Sequence, residues 1–294
     1  MQRLATEIET AALAPPGSLP LSDDNPISGM TLSAKLAIAI TAVVTAAVFA
    51  VGLISYAILA HVAPSRTLED IEIHSRLVAA ELGSSVARVR EDVTSYFAFP
   101  ELTGLIRAQR SGGIDPLSGV RSEVWRDRVA SRFLAEMALK PAYEKMRLIG
   151  IEDGGREIIR IDRKGPGDQV RLVPDADLQQ KGGRDFFKKA IALRAGETHV
   201  APISLDRDDT AVIEPHIPIL AVATPLVAPD GSPFGIVKIN LDMRPALGQA
   251  RASTRPGGMT YVVNGQGDFL VHPHPSLEFA SQLGGRTSWK TAFP

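Results

Sequence analysis

The chain has 294 residues, room for roughly two domains at about 150 residues each. Hydrophobic residues make up 45% and charged residues 22%, a balance that excludes a disordered or collagenous chain. A formal net charge of −1 with 5% aromatics gives neither an electrostatic nor a stacking basis for nucleic-acid binding, and the absence of cysteine excludes disulfides, cysteine-type zinc sites and thiol nucleophiles.

Residues 1–34 hold Pro15, Pro16, Pro20 and Pro26 beside Asp23 and Asp24 and read as a disordered tail, with Met30 an alternative start. Residues 35–61 read as a transmembrane helix. The 25 residues Leu36 to Ala60 carry no charge, and at about 1.5 Å per residue they reach about 37 Å, enough for a hydrocarbon core of about 30 Å. A cleavable signal fits less well, because its apolar region is shorter and no A-x-A site follows. Tyr56 falls where an interfacial anchor belongs. Lys35 on one flank and Arg66 and Arg76 on the other leave the orientation open.

From Arg66 to about Ala98 the spacing predicts one long helix. Leu68, Ile71, Val78, Leu82, Val86, Val89, Val93 and Phe97 form its apolar stripe, suited to a globular face or a dimer seam. Pro100 ends it. A short helical turn is expected over Glu101 to Gln109, and a second helix over Val120 to Leu139 that stops at Pro141.

The period then changes. Lys145 to Glu152 and Arg156 to Asp162 flank Asp153-Gly154-Gly155, a hairpin signal. Leu178 to Arg194 returns to helical spacing, closed by Gly196. His199 to Leu205 reads as a short strand before a turn at Asp206 to Asp209. Ile217 to Val227 and Phe234 to Leu241 flank Pro229-Asp230-Gly231 as a second hairpin. Met259 to Asn264 and Asp268 to His272 repeat the first hairpin's pattern. The expected class is α+β: a transmembrane helix, a long stalk helix, a PAS-like module with an antiparallel five-stranded sheet, and the start of a second such module. The boundaries expected are 62–250 for the stalk and first module and 251–294 for the second, which the chain is expected to leave incomplete.

No catalytic motif is present. There is no HExxH, no G-x-S-x-G, and neither Gly154-Gly155 nor Gly182-Gly183 lies in a phosphate-binding loop. His272-Pro273-His274 reads as a surface turn, and no metal or cofactor is expected.

The stretch from Leu178 to Met243 resembles the membrane-distal module of double Cache sensor domains through Arg184-x-Phe186-Phe187, Ala190, Gly196, Thr224-Pro225, Asp230-Gly231 and Gly235-Ile236-Val237. Residues 147–162 resemble that family's opening hairpin, and residues 259–273 the start of its membrane-proximal module. The resemblance implies an extracytoplasmic, PAS-like receptor of bacterial histidine kinases, diguanylate cyclases or chemoreceptors. Any kinase or cyclase activity would then lie beyond Pro294. It implies a small-molecule pocket in the distal module. Arg184 matches the family's carboxylate-gripping Arg, Phe186 and Phe187 fall at its aromatic positions, and Asn240 and Asp242 fall near its last-strand Asp. The positions near Ile203 and Leu205 lack the Tyr and Asp of the amino-acid-binding branch, so a carboxylate or an uncharged ligand stays open. The partners implied are a small ligand, the inner membrane and a second copy of the chain, with the sensor in the periplasm. The rival readings are a chemoreceptor input and a non-sensing anchored scaffold or hydrolase.

Overall fold

The structure, a computed structural model, describes residues 30–163, 169–209, 211–254 and 257–293. Most of the predicted N-terminal tail, residues 1–29, lies outside the described residues. The chain divides into two compact units, Met1–Asp70 and Ile71–Pro294.

One helix, α1 (Leu32–Ser95), contributes to both units. In the first unit Leu32–Ala57 is long and apolar enough to cross a membrane, and none of it is buried. Leu36, Val43, Val48, Phe49 and Ile54 all point to the outside. An exposed apolar helix of this length fits a single-pass membrane protein.

In the second unit the end of α1 packs on α2 (Pro100–Arg110) and α3 (Ser122–Leu139). Pro100 both ends the preceding segment and starts α2, where its missing N–H falls among donors that have no helical partner anyway. α3 buries Trp125, Val129, Phe133 and Met137 and leaves Val124 exposed. Gly104 of α2 makes room for that indole, since a Cβ there would stand 2.4 Å from the Trp125 ring.

The sheet is built from β1 (Tyr143–Gly150), β2 (Glu157–Arg163), β3 (Val170–Leu172), β4 (His199–Val200), β5 (Ser204–Leu205), β8 (Pro218–Val227) and β9 (Pro233–Asp242). Its order is β3-β2-β1-β9-β8-β4, with β5 also on β8, and every pairing is antiparallel. A separate hairpin, β6 (Arg207–Asp208) with β7 (Ala211–Val212), occupies the turn expected at Asp206 to Asp209.

Strand alternation sends Met146, Leu148, Ile159, Ile161, Val237 and Ile239 to one face. There they meet Val89, Val93, Leu105, Val129, Phe133 and Met137 of the three helices. Fully burying one such side chain contributes about 1.5–3 kcal/mol, so this layer carries the fold. Lys140 Nζ, 2.7 Å from Asp92 Oδ1, and the Tyr143 hydroxyl, which donates to Asp92, tie the end of α1 to the start of β1.

The helix expected over Leu178 to Arg194 is corrected: α4 spans only Asp185–Ile191. The residues before it follow the first hairpin instead. Glu157 N donates to Gln179 O, Lys181 N to Gly155 O, and Gly182 N to Gly154 O. Gly155 lies at φ +76, and a Cβ there would fall 2.4 Å from Gly182 Cα, so two glycines permit this close approach.

After β9 come α5 (Arg244–Ala252), the hairpin β10 (Val262–Val263) with β11 (Phe269–Val271), and α6 (Trp289–Ala292). Tyr261 stands edge-on to His272, Trp289 and Phe293. The surface turn expected at His272-Pro273-His274 is corrected in part. His272 is buried against Phe269 and accepts the backbone N–H of His274 at Nδ1, because the aromatic cluster draws it inward. No group of three or more metal-ligating side chains occurs among the described residues.

Candidate functional site

The face of the sheet turned away from the three helices is charged and yet buried. One row across it runs Asp162, Lys145, Asn240, Ala221; the next runs Arg160, Arg147, Lys238, Ala223. Each position follows from strand alternation: these residues sit between the apolar ones of the opposite face. An ordinary half-exposed sheet would leave them in water. Here α4 and the segments before and after it cover them, and Lys145 and Asn240 are each only 2% exposed.

Most of these charges are paired. Lys145 Nζ lies 2.5 Å from Asp206 Oδ2, and Asn240 Nδ2 donates to Asp206 Oδ1 at 3.3 Å. Arg147 Nε lies 3.1 Å from Glu157 Oε1. Arg160 grips Asp162 with two bonds of 2.9 and 2.8 Å. Lys181 Nζ is 3.7 Å from Asp209 Oδ1. Buried charges need such pairing, since removing a lone charge from water is far more unfavourable than removing a matched pair.

Lys238 is the exception. It is 6% exposed, and among the described residues its Nζ has no hydrogen-bond or ion-pair acceptor. What it has is the Phe186 ring, whose centroid is 4.2 Å away. Burial, then the neighbouring Arg147 charge, hold its pKa well below the ordinary lysine value. Burial also lowers Lys145 and Lys181, each with a further push from Arg147, and Asp206 works against this at Lys145.

These groups border a cavity of about 120 Å³. Arg147, Lys181, Arg184, Arg207 and Lys238 contribute its cations, and Asp206 and Asp209 its carboxylates. Larger recesses of about 270 and 310 Å³ lie beside α5 and beside the 150–157 turn; the second is lined by the buried Glu157, but neither is lined by a buried cation. The 120 Å³ cavity is therefore the one where a ligand would meet strong, dry electrostatics.

Of the residues proposed from sequence, Arg184, Phe186 and Asn240 all line this cavity. Arg184 is the residue immediately before α4, and its side chain has no partner among the described residues. Phe187 does not join them. It is buried with Ile149, Ala190 and Ile236, as the opposite direction of adjacent helical residues requires. Asp242 does not join them either, because Arg244 takes its carboxylate at 2.9 Å. Lys145, Arg147, Lys181, Asp206 and Lys238 escaped the sequence reading. The signal was there: charged residues alternate with Met, Leu and Ile in K-M-R-L-I and with Ile in V-K-I-N-L. Such alternation normally marks a solvated face.

Residues 121–293 match a family model described as bacterial histidine kinase, sensor domain. Among solved structures, a domain from a Vibrio parahaemolyticus protein assigned to the sensory box/GGDEF family is similar at TM-score 0.61 and 16% identity, covering 75% of this chain and 78% of that one. The extracellular domain of a protein assigned as a histidine kinase follows at TM-score 0.59 and 15% identity, covering 75% and 74%. More distant, at TM-score 0.36 and 14% identity over 68% and 77%, is the ligand-binding domain of a Pseudomonas aeruginosa amino acid chemoreceptor in complex with GABA. No curated protein matches in sequence.

Proposed function

The chain belongs to the bacterial histidine kinase sensor domain family, and from that premise we propose that its sheet cavity binds a small extracytoplasmic molecule and passes the event toward the membrane. The observation that carries the reading is the buried, incompletely neutralised charge around the cavity. A sheet face that served only stability would be better filled by apolar side chains, which replace buried ion pairs at no loss or with a gain of about 1–4 kcal/mol.

The route outward begins at Leu205, which borders both this cavity and the recess beside α5. Its neighbour Asp206 holds Lys145 and Asn240, and its own N–H donates to Gln282 Oε1 at 2.9 Å. A ligand that competes for Lys145 or Asn240 re-positions Asp206, and β5 carries that change to the C-terminal residues. Such coupling requires the ligand to prefer one of the two packings. In this reading Leu32–Ala57 is retained as the membrane anchor, residues 251–294 begin a second module, and two copies pair along α1, where Ile73 and Leu77 are exposed. The output is that of a histidine kinase.

The test is thermal melting of the full chain in detergent against a panel of small metabolites. A true ligand raises the melting temperature of the native chain and leaves Ala201→Trp, which fills the cavity wall, unchanged. Failure of every compound, or equal stabilisation of both proteins, defeats the reading.

A further inference from the structure

We infer that the cavity is built for a small dianion that also donates one hydrogen bond, such as a hydroxydicarboxylate of a few carbons. The inference rests on the cavity being the ligand pocket, and it follows from which groups around it are already satisfied.

Each carboxylate at the cavity already faces a cation. Asp206 faces Lys145 and Asn240, and Asp209 faces Lys181. Glu157 and Asp162, deeper on the sheet, face Arg147 and Arg160. Two cations remain without a partner among the described residues, Lys238 and Arg184, and both border the cavity. Two unmatched positive charges at one cavity, Lys238 buried and Arg184 half-buried, favour two negative ones, and the buried Lys238 keeps a desolvation penalty until it is matched. Arg184 presents a planar fork suited to one carboxylate, and Lys238 a point charge suited to the other.

One acceptor among the residues lining the cavity is also left over. Asn240 Oδ1 is buried and has no hydrogen-bond partner. A ligand hydroxyl would satisfy it at no cost in charge. An ammonium cannot satisfy that acceptor without entering beside Lys145, Lys238 and Arg147, where Asp206 and Asp209 already face cations of the protein. This separates the site from one that takes a zwitterionic amino acid. The volume limits the size: about 120 Å³ matches the share of about four water molecules at about 30 Å³ each. Phe186 closes one side and keeps the Lys238 ammonium in place.

Hydrogen phosphate shares this chemistry, so the experiment carries both. The full chain in detergent is titrated calorimetrically near neutral pH, where malate is a dianion and phosphate is a mixture of dianion and monoanion, with malate, inorganic phosphate, serine and glycerol. Malate or phosphate is expected to bind, and the tighter of the two identifies the class. Lys238→Met and Arg184→Gln are each expected to weaken that binding about 10- to 100-fold, the usual effect of removing one charged hydrogen-bond partner. Thermal melts of both variants establish that they remain folded. If serine or glycerol binds and Ala201→Trp blocks it while neither dianion binds, the dianion inference is overturned and the pocket stands. Dianion binding that is indifferent to both Lys238→Met and Arg184→Gln overturns it equally. If no probe binds and Ala201→Trp melts like the native chain with every metabolite of the wider panel, the pocket reading falls and takes the inference with it.

Discussion

Replacing Lys238 by methionine should make the ligand-free protein more stable. The two side chains are similar in length and volume, so packing against Phe186 and the sheet is kept while the charge is removed. Lys238 is 6% exposed, with Arg147, Lys145, Lys181 and Arg184 bordering the same cavity or its floor and Asp206 acting as the opposing charge. Exchanging buried charge for apolar volume typically gains about 1–4 kcal/mol, and about 2 kcal/mol is reasonable for one lysine that retains a ring contact. For a domain of this size that corresponds to a rise of about 4–8 °C in melting temperature. The pH dependence supplies a second readout. Because the folded-state pKa of Lys238 is depressed, the unfolded chain binds more protons between that value and the ordinary 10.5. Native stability therefore rises with pH across that window, is fully recovered above 10.5, and is lost as pH falls through the folded-state pKa. Lys238→Met lacks this component, so its advantage over the native chain should shrink as pH rises. The assay is circular-dichroism melting of exhaustively dialysed protein at a series of pH values. A variant that melts below the native chain at neutral pH would show that Lys238 has a stabilising partner, and the argument from unmatched charge would be refuted.

Three further outcomes are expected. Binding of a dianion should weaken as pH rises above the folded-state pKa of Lys238, by up to tenfold per pH unit, since the complex needs the ammonium; calorimetry at several pH values should find this slope reduced in Lys238→Met, leaving the smaller contributions of Lys145 and Lys181. Gly155→Ala should destabilise by about 2–4 kcal/mol in chemical denaturation, because alanine is strained at φ +76 and its Cβ meets Gly182, whereas Gly183→Ala, with open space and an ordinary φ, should stay within about 0.5 kcal/mol. Gln282→Leu should orphan the Leu205 N–H, cost about 1–3 kcal/mol, and speed hydrogen exchange at Ser204 and Leu205 while leaving ligand affinity nearly unchanged; unchanged exchange there would remove this contact from the signalling route.

Much of this protein is legible in its sequence, and the reason is local. An uncharged run of 25 residues specifies an apolar helix wherever it lies. Asp153-Gly154 and Asp230-Gly231 between apolar runs specify the two long hairpins, because only a few turn types join adjacent strands. Arg184, Phe186 and Asn240, singled out through a family resemblance, line the cavity proposed here as the pocket. The length of α4 was not legible. Leu178 to Arg194 has helical spacing, yet the backbone of Gln179 to Gly182 pairs with the first hairpin, and that pairing depends on Gly155 and Gly182 meeting in space. The charge of the pocket was not legible either. Lys145, Arg147 and Lys238 alternate with apolar residues as a solvated strand face does, and nothing in the strands themselves distinguishes water from a covering segment. Only the tertiary structure places α4 and Asp206 over that face. Burial then turns what would be surface cations into the lining of a charged cavity, because the strength of a charge is set by what surrounds it and not by its place in the chain.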